Sequence, residues 1–290
     1  MISILITESG GPAAVGLIKS IRQLPHKVTI VSTDMDGLAV GNYLSDYHYQ
    51  VPKASDSNYI NNILDIVGKH NINLLIPTGE HDLQKLSENI KSFEDIGCKL
   101  FISSINTIKI CQNKFDFWSH LNESFKMPNP IKGVFLKPDV GAGGRGTKKI
   151  EADKGFHLWE FLPGKEYTVD VFCDMDSNII NHIIRKRIAI KSGISVKGEI
   201  IHNSNISSII KKLVKHLNLR GPSCIQFKEN ESGEPKLIEC NPRLGGGTYM
   251  CTLAGINYAE IYFNLLKGIK NPKTKPKGIT VLRYFEEIVI

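Results

Sequence analysis

The residues best suited to chemistry lie in the segment Glu239-Cys240-Asn241-Pro242-Arg243. Glu239 and Asn241 are two residues apart at the end of a predicted strand, so their side chains share one face. Carboxylate and amide oxygens are hard ligands, suited to an Mg²⁺ ion that bridges phosphates. Gln226 lies on the neighbouring predicted strand and could supply a third oxygen, while Arg243 could hold a phosphate or a carboxylate. We therefore predict a metal and phosphate site here.

A glycine-rich segment, Gly141-Ala142-Gly143-Gly144-Arg145-Gly146, stands between two predicted strands. It differs from a P-loop because Thr147 precedes Lys148 and because the following residues are strand-like. Such a loop suits covering a triphosphate with backbone N–H groups, since glycine lets the backbone approach closely. Lys137, just before the loop, could reach the phosphates or the purine. The alternative is a flexible surface turn.

Two further segments suit a nucleotide. In Trp159-Glu160-Phe161-Leu162, backbone groups could pair with an adenine edge while apolar side chains enclose the ring, and Glu166 could accept hydrogen bonds from ribose. Arg185 and Arg187 share one face of a predicted strand and could balance the γ-phosphate and a developing acyl phosphate. The alternatives are an ordinary strand–turn–strand and a solvated basic strand.

The turn from Gly10 to Gly16 follows the first predicted strand, and Asp34 closes the second. This is close to a dinucleotide-binding pattern, because a helix N-terminus after a glycine turn binds anions. However, GxGxxG is absent and Pro12 sits in the turn. An NAD(P)-dependent oxidoreductase is therefore kept as an alternative, although no catalytic Tyr-Lys or His-Asp arrangement stands at recognisable spacing.

The chain has 290 residues, of which 41% are hydrophobic and 22% charged, as in ordinary globular proteins. This composition excludes a disordered tail, a collagen-like fibre and a small disulfide scaffold. No apolar run is long enough to span a membrane. The net charge is +7, and the Lys and Arg residues are scattered, with no run of five or more. The six cysteines form no CxxC motif and are expected to be reduced. We expect a cytoplasmic protein that binds neither nucleic acid nor a membrane.

The element pattern predicts two domains. Up to about residue 112, strands alternate with helices, which favours an α/β domain with a parallel sheet; the rest, residues 113–290, is rich in antiparallel strands and resembles an α+β domain. The predicted strands of the first domain are Ile2–Thr7, Lys27–Ser32, Asn73–Pro77 and Lys99–Ile102, and its helices are Ala13–Arg22, Tyr59–His70 and Asp82–Phe93. The predicted strands of the second are Lys132–Pro138, Thr147–Glu151, His157–Phe161, Glu166–Asp174, Ile179–Ile190 and the hairpin Ser223–Lys228/Pro235–Cys240, and its helices are Asn113–Asn122, Ile206–Leu217 and Asn257–Leu266.

In order and spacing, these motifs resemble the ATP-grasp superfamily, in particular its carbamoyl-phosphate-synthetase large-subunit-like branch. The resemblance implies a Rossmann-like pre-ATP-grasp domain followed by an ATP-grasp fold. Because only eight residues separate Ile150 from Trp159, the lid subdomain, at about 131–160, is expected to be small. The amidotransferase and allosteric parts of a full carbamoyl phosphate synthetase are absent, so we do not predict carbamoyl phosphate synthesis.

The resemblance also implies roles for individual residues. ATP is expected at Lys114, Lys137, the loop residues Gly141, Gly143, Gly144, Arg145 and Gly146, the hinge Glu160, Phe161 and Leu162, the ribose ligand Glu166, and Arg185. Magnesium, or alternatively Mn²⁺, is expected at Gln226, Glu239 and Asn241. Arg187 and Arg243 are the expected catalytic residues.

The predicted reaction is ATP-dependent ligation of a small-molecule carboxylate to an amine through an acyl phosphate, with release of ADP and phosphate. The Gly10–Gly16 turn, Glu80 and Asp82 are expected to face the second substrate. Homodimers are common among such enzymes, so a homodimer is also an expectation. Besides the oxidoreductase, a nucleotide-binding module without catalysis remains as an alternative.

Overall fold

The computed structural model describes residues 2–131, 134–136, 148–154 and 156–290. Its first sheet is parallel and contains β1 (Ile2–Thr7), β2 (Val28–Asp34), β3 (Tyr47–Gln50) and β4 (Leu74–Pro77). The strand order is β3-β2-β1-β4. Strands β1, β2 and β4 are largely buried, as expected for a parallel sheet covered on both faces.

Helices connect and cover these strands. The first begins at Pro12, whose fixed φ suits the start of a helix, and it buries the side chains of Leu17, Ile18 and Ile21. The helices of this part are α1 (Pro12–Ile21), α2 (Val40–Leu44), α3 (Tyr59–His70), α4 (Leu83–Glu88), α5 (Ile90–Asp95), α6 (Ile105–Gln112) and α7 (Lys114–Leu121).

Two predictions for this part were wrong in detail. The segment predicted as one helix over Asp82–Phe93 is broken at Asn89, whose side-chain amide donates to the Lys85 carbonyl oxygen at 2.8 Å. Asparagine competes with helical hydrogen bonds in this way. The segment Lys99–Ile102 is buried beyond Lys99 but forms only one parallel bridge, from Lys99 to Leu74.

The second part is built on a six-stranded antiparallel sheet with the order β13-β12-β9-β10-β11-β14. The predicted hairpin is present, and Gln226 lies opposite Glu239 in its register. The sheet contains β9 (Glu166–Cys173), β10 (Ile179–Lys191), β11 (Ile194–Ile201), β12 (Gly221–Glu229), β13 (Pro235–Asn241) and β14 (Thr280–Leu282), with α8 (Ser204–His216), α9 (Tyr249–Leu253) and α10 (Tyr258–Lys267).

Two short strand pairs lie between the two parts. They are antiparallel, with pairing between β5 (Pro130–Ile131) and β8 (Leu158–Trp159), and between β6 (Val134–Leu136) and β7 (Lys148–Ile150). The predicted ligands Lys137, Gly141, Gly143, Gly144, Arg145 and Gly146 lie outside the described residues.

One apolar core joins the two parts of the chain. It contains Leu17 and Ile18 of α1 together with Phe172 of β9 and Tyr258 and Tyr262 of α10. The rings of Phe172 and Tyr262 meet edge to face with centroids 4.7 Å apart. The C-terminal helices therefore pack on the N-terminal domain, which fixes the position of one sheet against the other.

Among the described residues, no helix is both long enough and apolar enough to cross a membrane. All six cysteines are buried and unpaired, as predicted. Burial raises the pKa of the Cys98, Cys173 and Cys224 thiols to about 12, so these thiols are protonated at neutral pH.

Candidate functional site

A cavity of about 590 Å³, here called the central cavity, lies between the parallel sheet and the antiparallel sheet. The loops after β1 and β4 form one wall, and strands β10, β12 and β13 form the other. Its polar lining includes Glu8, Glu80, Lys114, Arg185, Arg187, Gln226, Glu239, Asn241 and Arg243. The structure thus brings together the predicted metal ligands and the predicted catalytic arginines.

The three predicted metal ligands are in direct contact. Gln226 Nε2 donates to Glu239 Oε1 at 2.6 Å, and Asn241 Nδ2 donates to the same oxygen at 3.1 Å. The amide oxygens and nitrogens of Gln and Asn are assigned from such contacts, so a cation would favour the flipped amides, with their oxygens toward it. For Gln226 the flip gives up the hydrogen bond that its Oε1 accepts from Arg187 Nη1. Three oxygen-bearing side chains on paired strands fit a hard divalent cation.

Arg187 is held beside this group. Its Nη1 pairs with the Glu166 carboxylate and donates to Gln226 Oε1 at 3.0 Å. Its Nη2 donates to the Gly193 carbonyl oxygen, whereas its buried Nε has no hydrogen-bond partner among the described residues. Glu166, the predicted ribose ligand, is therefore engaged by the guanidinium of Arg187.

Arg185 is placed differently from the prediction that it binds ATP. Its side chain is 2% exposed and pairs with the equally buried Asp170, although it lines the central cavity. Burial alone would lower the pKa of Arg185, but the Asp170 carboxylate raises it above its ordinary value. Cys251 Sγ lies 3.3 Å from Asp170 Oδ2. The Arg185 guanidinium thus already has a buried counterion beneath the cavity.

Arg243 links the two walls of the central cavity. Its Nη2 donates to the Glu80 carboxylate, which belongs to the loop after β4, and its Nη1 donates to the Leu244 carbonyl oxygen at 3.0 Å. Its Nε is buried without a partner among the described residues. Glu80 therefore lines the cavity and pairs with the arginine of the Asn-Pro-Arg segment.

The predicted adenine hinge borders a smaller cavity of about 330 Å³, here called the hinge cavity. Glu160 does not project freely, because both of its carboxylate oxygens lie 2.7 Å from Lys236 Nζ, which lowers the Glu160 pKa. Lys114 lines both the hinge cavity and the central cavity. The hinge cavity is lined by Lys114, Trp118, Met127, Pro128, Trp159, Glu160, Phe161, Leu162, Lys228 and Ile238.

The Gly10 turn is closed by the side chain of Asp34. Asp34 Oδ2 accepts a hydrogen bond from Gly10 N at 2.8 Å, and Asp34 Oδ1 accepts one from Asp36 N at 2.9 Å. This carboxylate, which would have to bind a ribose in a dinucleotide site, thus has a structural role in joining β1 to β2.

The expectation that Asp82 faces a substrate was wrong, because its side chain is fully buried. The residue that the sequence did not reveal is Glu8, which follows β1 and lines the central cavity. The available signal was an acidic residue directly after a buried apolar strand.

Comparison with known families agrees with this architecture. Residues 154–287 match a family model described as "ATP-grasp in the biosynthetic pathway with Ter operon", and residues 4–101 match the model of a PylC-like N-terminal domain. The fold is thus an ATP-grasp fold, as the order of motifs predicted, and the ATP-grasp model matches residues 154–287, which are less than half of the chain. More narrowly, the chain joins a PylC-like N-terminal domain to this type of ATP-grasp domain.

Solved structures share the fold at low sequence identity. Campylobacter jejuni biotin carboxylase, in a β-γ-ATP complex, has a TM-score of 0.66 at 16% identity, covering 93% of this chain and 72% of that chain. Staphylococcus aureus N5-carboxyaminoimidazole synthetase with ADP has a TM-score of 0.67 at 14% identity, covering 93% and 78%. The biotin carboxylase domain dimer of Hydrogenobacter thermophilus 2-oxoglutarate carboxylase, with MgADP and bicarbonate, has a TM-score of 0.66 at 15% identity, covering 93% and 70%.

Proposed function

We propose that this protein is an ATP-dependent carboxylate–amine ligase. ATP phosphorylates a substrate carboxylate to an acyl phosphate, and an amine then displaces phosphate to form an amide. The observation that carries the proposal is the central cavity, where a Gln–Glu–Asn group and two arginines meet a wall from the N-terminal domain. The ATP-grasp family match supports the same class of reaction.

The nucleotide has a place in two adjoining cavities. The hinge cavity offers the apolar surfaces of Trp159 and Leu162 to an adenine ring, and the central cavity offers the polar groups that a triphosphate needs. Lys114 borders both, so its ammonium is placed between the base and the phosphates. ATP, ADP or MgADP is named in the three neighbouring structures above.

The metal site would hold Mg²⁺, whose chemistry is to bridge phosphate oxygens and neutralise their charge. Glu239 supplies the one carboxylate, and Gln226 and Asn241 supply neutral amide oxygens. Arg187, with an unpaired buried Nε beside this group, would stabilise the transferring phosphoryl group. Arg243 would hold either a phosphate oxygen or the substrate carboxylate once Glu80 releases it.

No covalent nucleophile from the protein is needed in this reaction. Positioning of the two substrates and neutralisation of charge account for most of the rate enhancement in phosphoryl transfer. This suits a site in which the Cys224 thiol is protonated, because burial raises the pKa of Cys224, which lines the central cavity, to about 12.

The first test is calorimetric titration with Mg²⁺-ATP of the wild type, Glu239→Ala and Glu231→Ala. Glu231 is exposed on the turn between β12 and β13, so it controls for the loss of one negative charge. We expect metal-dependent ATP binding by the wild type and the control, weakened in Glu239→Ala. Equal binding by all three proteins would refute the assigned metal site, and binding of NADH instead would support the oxidoreductase.

The second test measures ADP release with pairs of carboxylic acids and amines. ADP formation that requires both substrates together supports a ligase. ATP binding without ADP release from any pair would support a non-catalytic module. Size-exclusion chromatography with light scattering tests the homodimer that we also propose.

A further inference from the structure

A second cavity, of about 850 Å³, lies at the carboxyl ends of the parallel strands and is here called the N-terminal cavity. Ligands of open parallel sheets bind at this edge. The N-terminal cavity shares one wall with the central cavity. The residues common to both cavities are Glu8, Gly11, Thr78, Gly79, Glu80 and His81.

Glu8 stands at the junction of the two cavities in a fixed position. Its Oε1 accepts hydrogen bonds from the backbone N–H groups of His81 at 2.8 Å and Asp82 at 3.1 Å, and its Oε2 lies 3.0 Å from His81 Nδ1. A Cβ at residue 79 would overlap the Glu8 carboxylate in this position, so Gly79 leaves room for the side chain. The loop after β4 is thus shaped around this side chain, which nevertheless borders both cavities.

A second, buried carboxyl group lies behind Glu8. Asp82 is 0% exposed, and its Oδ2 accepts a hydrogen bond from the Tyr59 hydroxyl at 2.7 Å. Its Oδ1 is buried and has no hydrogen-bond partner among the described residues. Burial, and then the charge of Glu8, raise the pKa of Asp82 to about 7.

Positive charge is scarce at this junction. Within the described part of the chain, His81 is the only cationic side chain at ion-pair distance from Glu8, and Asp82 has none. The third carboxylate, Glu80, is paired with Arg243 on the opposite wall. When Arg243 turns to a phosphate or a substrate carboxylate, Glu80 also loses its partner. The junction then holds an excess of negative charge that a bound cation would balance.

We propose that Glu8 binds the ammonium group of the amine substrate and that the N-terminal cavity holds the rest of that molecule. This inference rests on the proposed ligase function and specifies where its second substrate lies. The class of ligand is a primary amine, because a carboxylate or phosphate at this junction would meet the carboxylates of Glu8 and Glu80. Because an ammonium has no free electron pair, it must first give one proton to the Glu8 carboxylate. The neutral nitrogen then attacks the acyl carbon in the central cavity, the C–O bond to phosphate breaks, and phosphate leaves with the bonding electron pair and the second proton.

The test is a calorimetric titration with the α-carboxamides of the proteinogenic amino acids other than aspartate, glutamate and proline, since these compounds carry a primary amine but no carboxylate. It compares the wild type with Glu8→Gln and Glu94→Gln. Glu94 is exposed on α5 and does not line the N-terminal cavity, so it is a control with the same chemical change. We expect at least one carboxamide to bind the wild type and Glu94→Gln. Glu8→Gln should bind it at least about tenfold more weakly, as expected for the loss of a charged hydrogen bond.

Equal affinity of all three proteins for the carboxamides, or no binding by the wild type, would overturn the inference. Titration of each variant with Mg²⁺-ATP shows whether it is folded and separates the two proposals. If Mg²⁺-ATP binds as expected but the carboxamides bind the wild type and Glu8→Gln with equal affinity, only this inference fails. If Mg²⁺-ATP does not bind to the wild type, the proposed function fails. Glu8→Asp serves as the conservative variant and should recover part of the affinity if Glu8→Gln acts through the lost charge.

Discussion

Replacing Asp82 by Asn should stabilise the protein at neutral and higher pH. The amide mimics the protonated carboxyl, since its oxygen can still accept the Tyr59 hydroxyl hydrogen bond and its nitrogen can donate toward Glu8. In the wild type, burial and the Glu8 charge raise the Asp82 pKa from 3.8 to about 7. The folded protein therefore binds a proton at Asp82 that the unfolded chain releases over this pH range.

The sign and size of the effect follow from linkage. The contribution of Asp82 to stability is fully present below pH 3.8 and is lost as the pH rises through about 7. The difference between these two values corresponds to at most roughly 4 kcal/mol. We therefore expect the stability of Asp82→Asn relative to wild type to increase between about pH 4 and pH 7, and then to remain constant.

The assay is urea unfolding at a series of pH values, because the other titrating groups are common to both proteins and cancel in the difference. Asp95→Asn is the control, since Asp95 is exposed on α5 and, among the residues that the structure describes, forms an ion pair only with Lys91. Its stability relative to wild type should change little with pH. A difference between Asp82→Asn and wild type that does not vary with pH would refute the reasoning.

Three further predictions concern packing and the nucleotide. Asp170→Asn should lower the free energy of unfolding, measured with urea, by about 3–5 kcal/mol, because it leaves the buried Arg185 charge without its partner. A decrease below about 1 kcal/mol, as for an exposed ion pair, would contradict this. Gly221→Ala should be much more destabilising than Gly233→Ala. Both glycines have positive φ, but only at Gly221 would a Cβ overlap the Phe101 carbonyl oxygen; equal urea midpoints would show that the overlap is relieved. Trp159→Ala should weaken ATP binding about tenfold in calorimetry if the Trp159 ring stacks on adenine. Phe156→Ala, at an exposed position, is the control and should bind ATP like the wild type. An unchanged ATP affinity of Trp159→Ala would mean that the base binds elsewhere.

The sequence predicted those elements whose own residues carry a clear period. The buried runs of β1 and β4, the helix Tyr59–His70 and the β12–β13 hairpin were all predicted close to their observed bounds. The edge strand β3 was not, because Tyr47, His48 and Gln50 are exposed and give no apolar pattern. Strand β3 forms because its backbone pairs in parallel with β2, which no local signal reveals.

The same distinction holds for the site. Gln226, Glu239 and Asn241 were predictable because one hairpin brings them together, so spacing and register were enough. The contact between Arg243 and Glu80 and the position of Glu8 depend on how two distant sheets face each other. The Glu8 and Glu80 carboxylates belong to loops whose sequences are those of ordinary turns. Only the tertiary structure shows that they line a cavity.

Because one apolar core contains residues of α1, Phe172 and residues of α10, cutting the chain between its two parts would divide that core. A cut near residue 112 would separate two chains that each expose half of that core, including Leu17 on one side and Tyr262 on the other. Neither half would be a self-sufficient folding unit, and the whole should melt in one cooperative transition. Exchange of the N-terminal domain between relatives therefore requires matching changes in the C-terminal helices that pack on it.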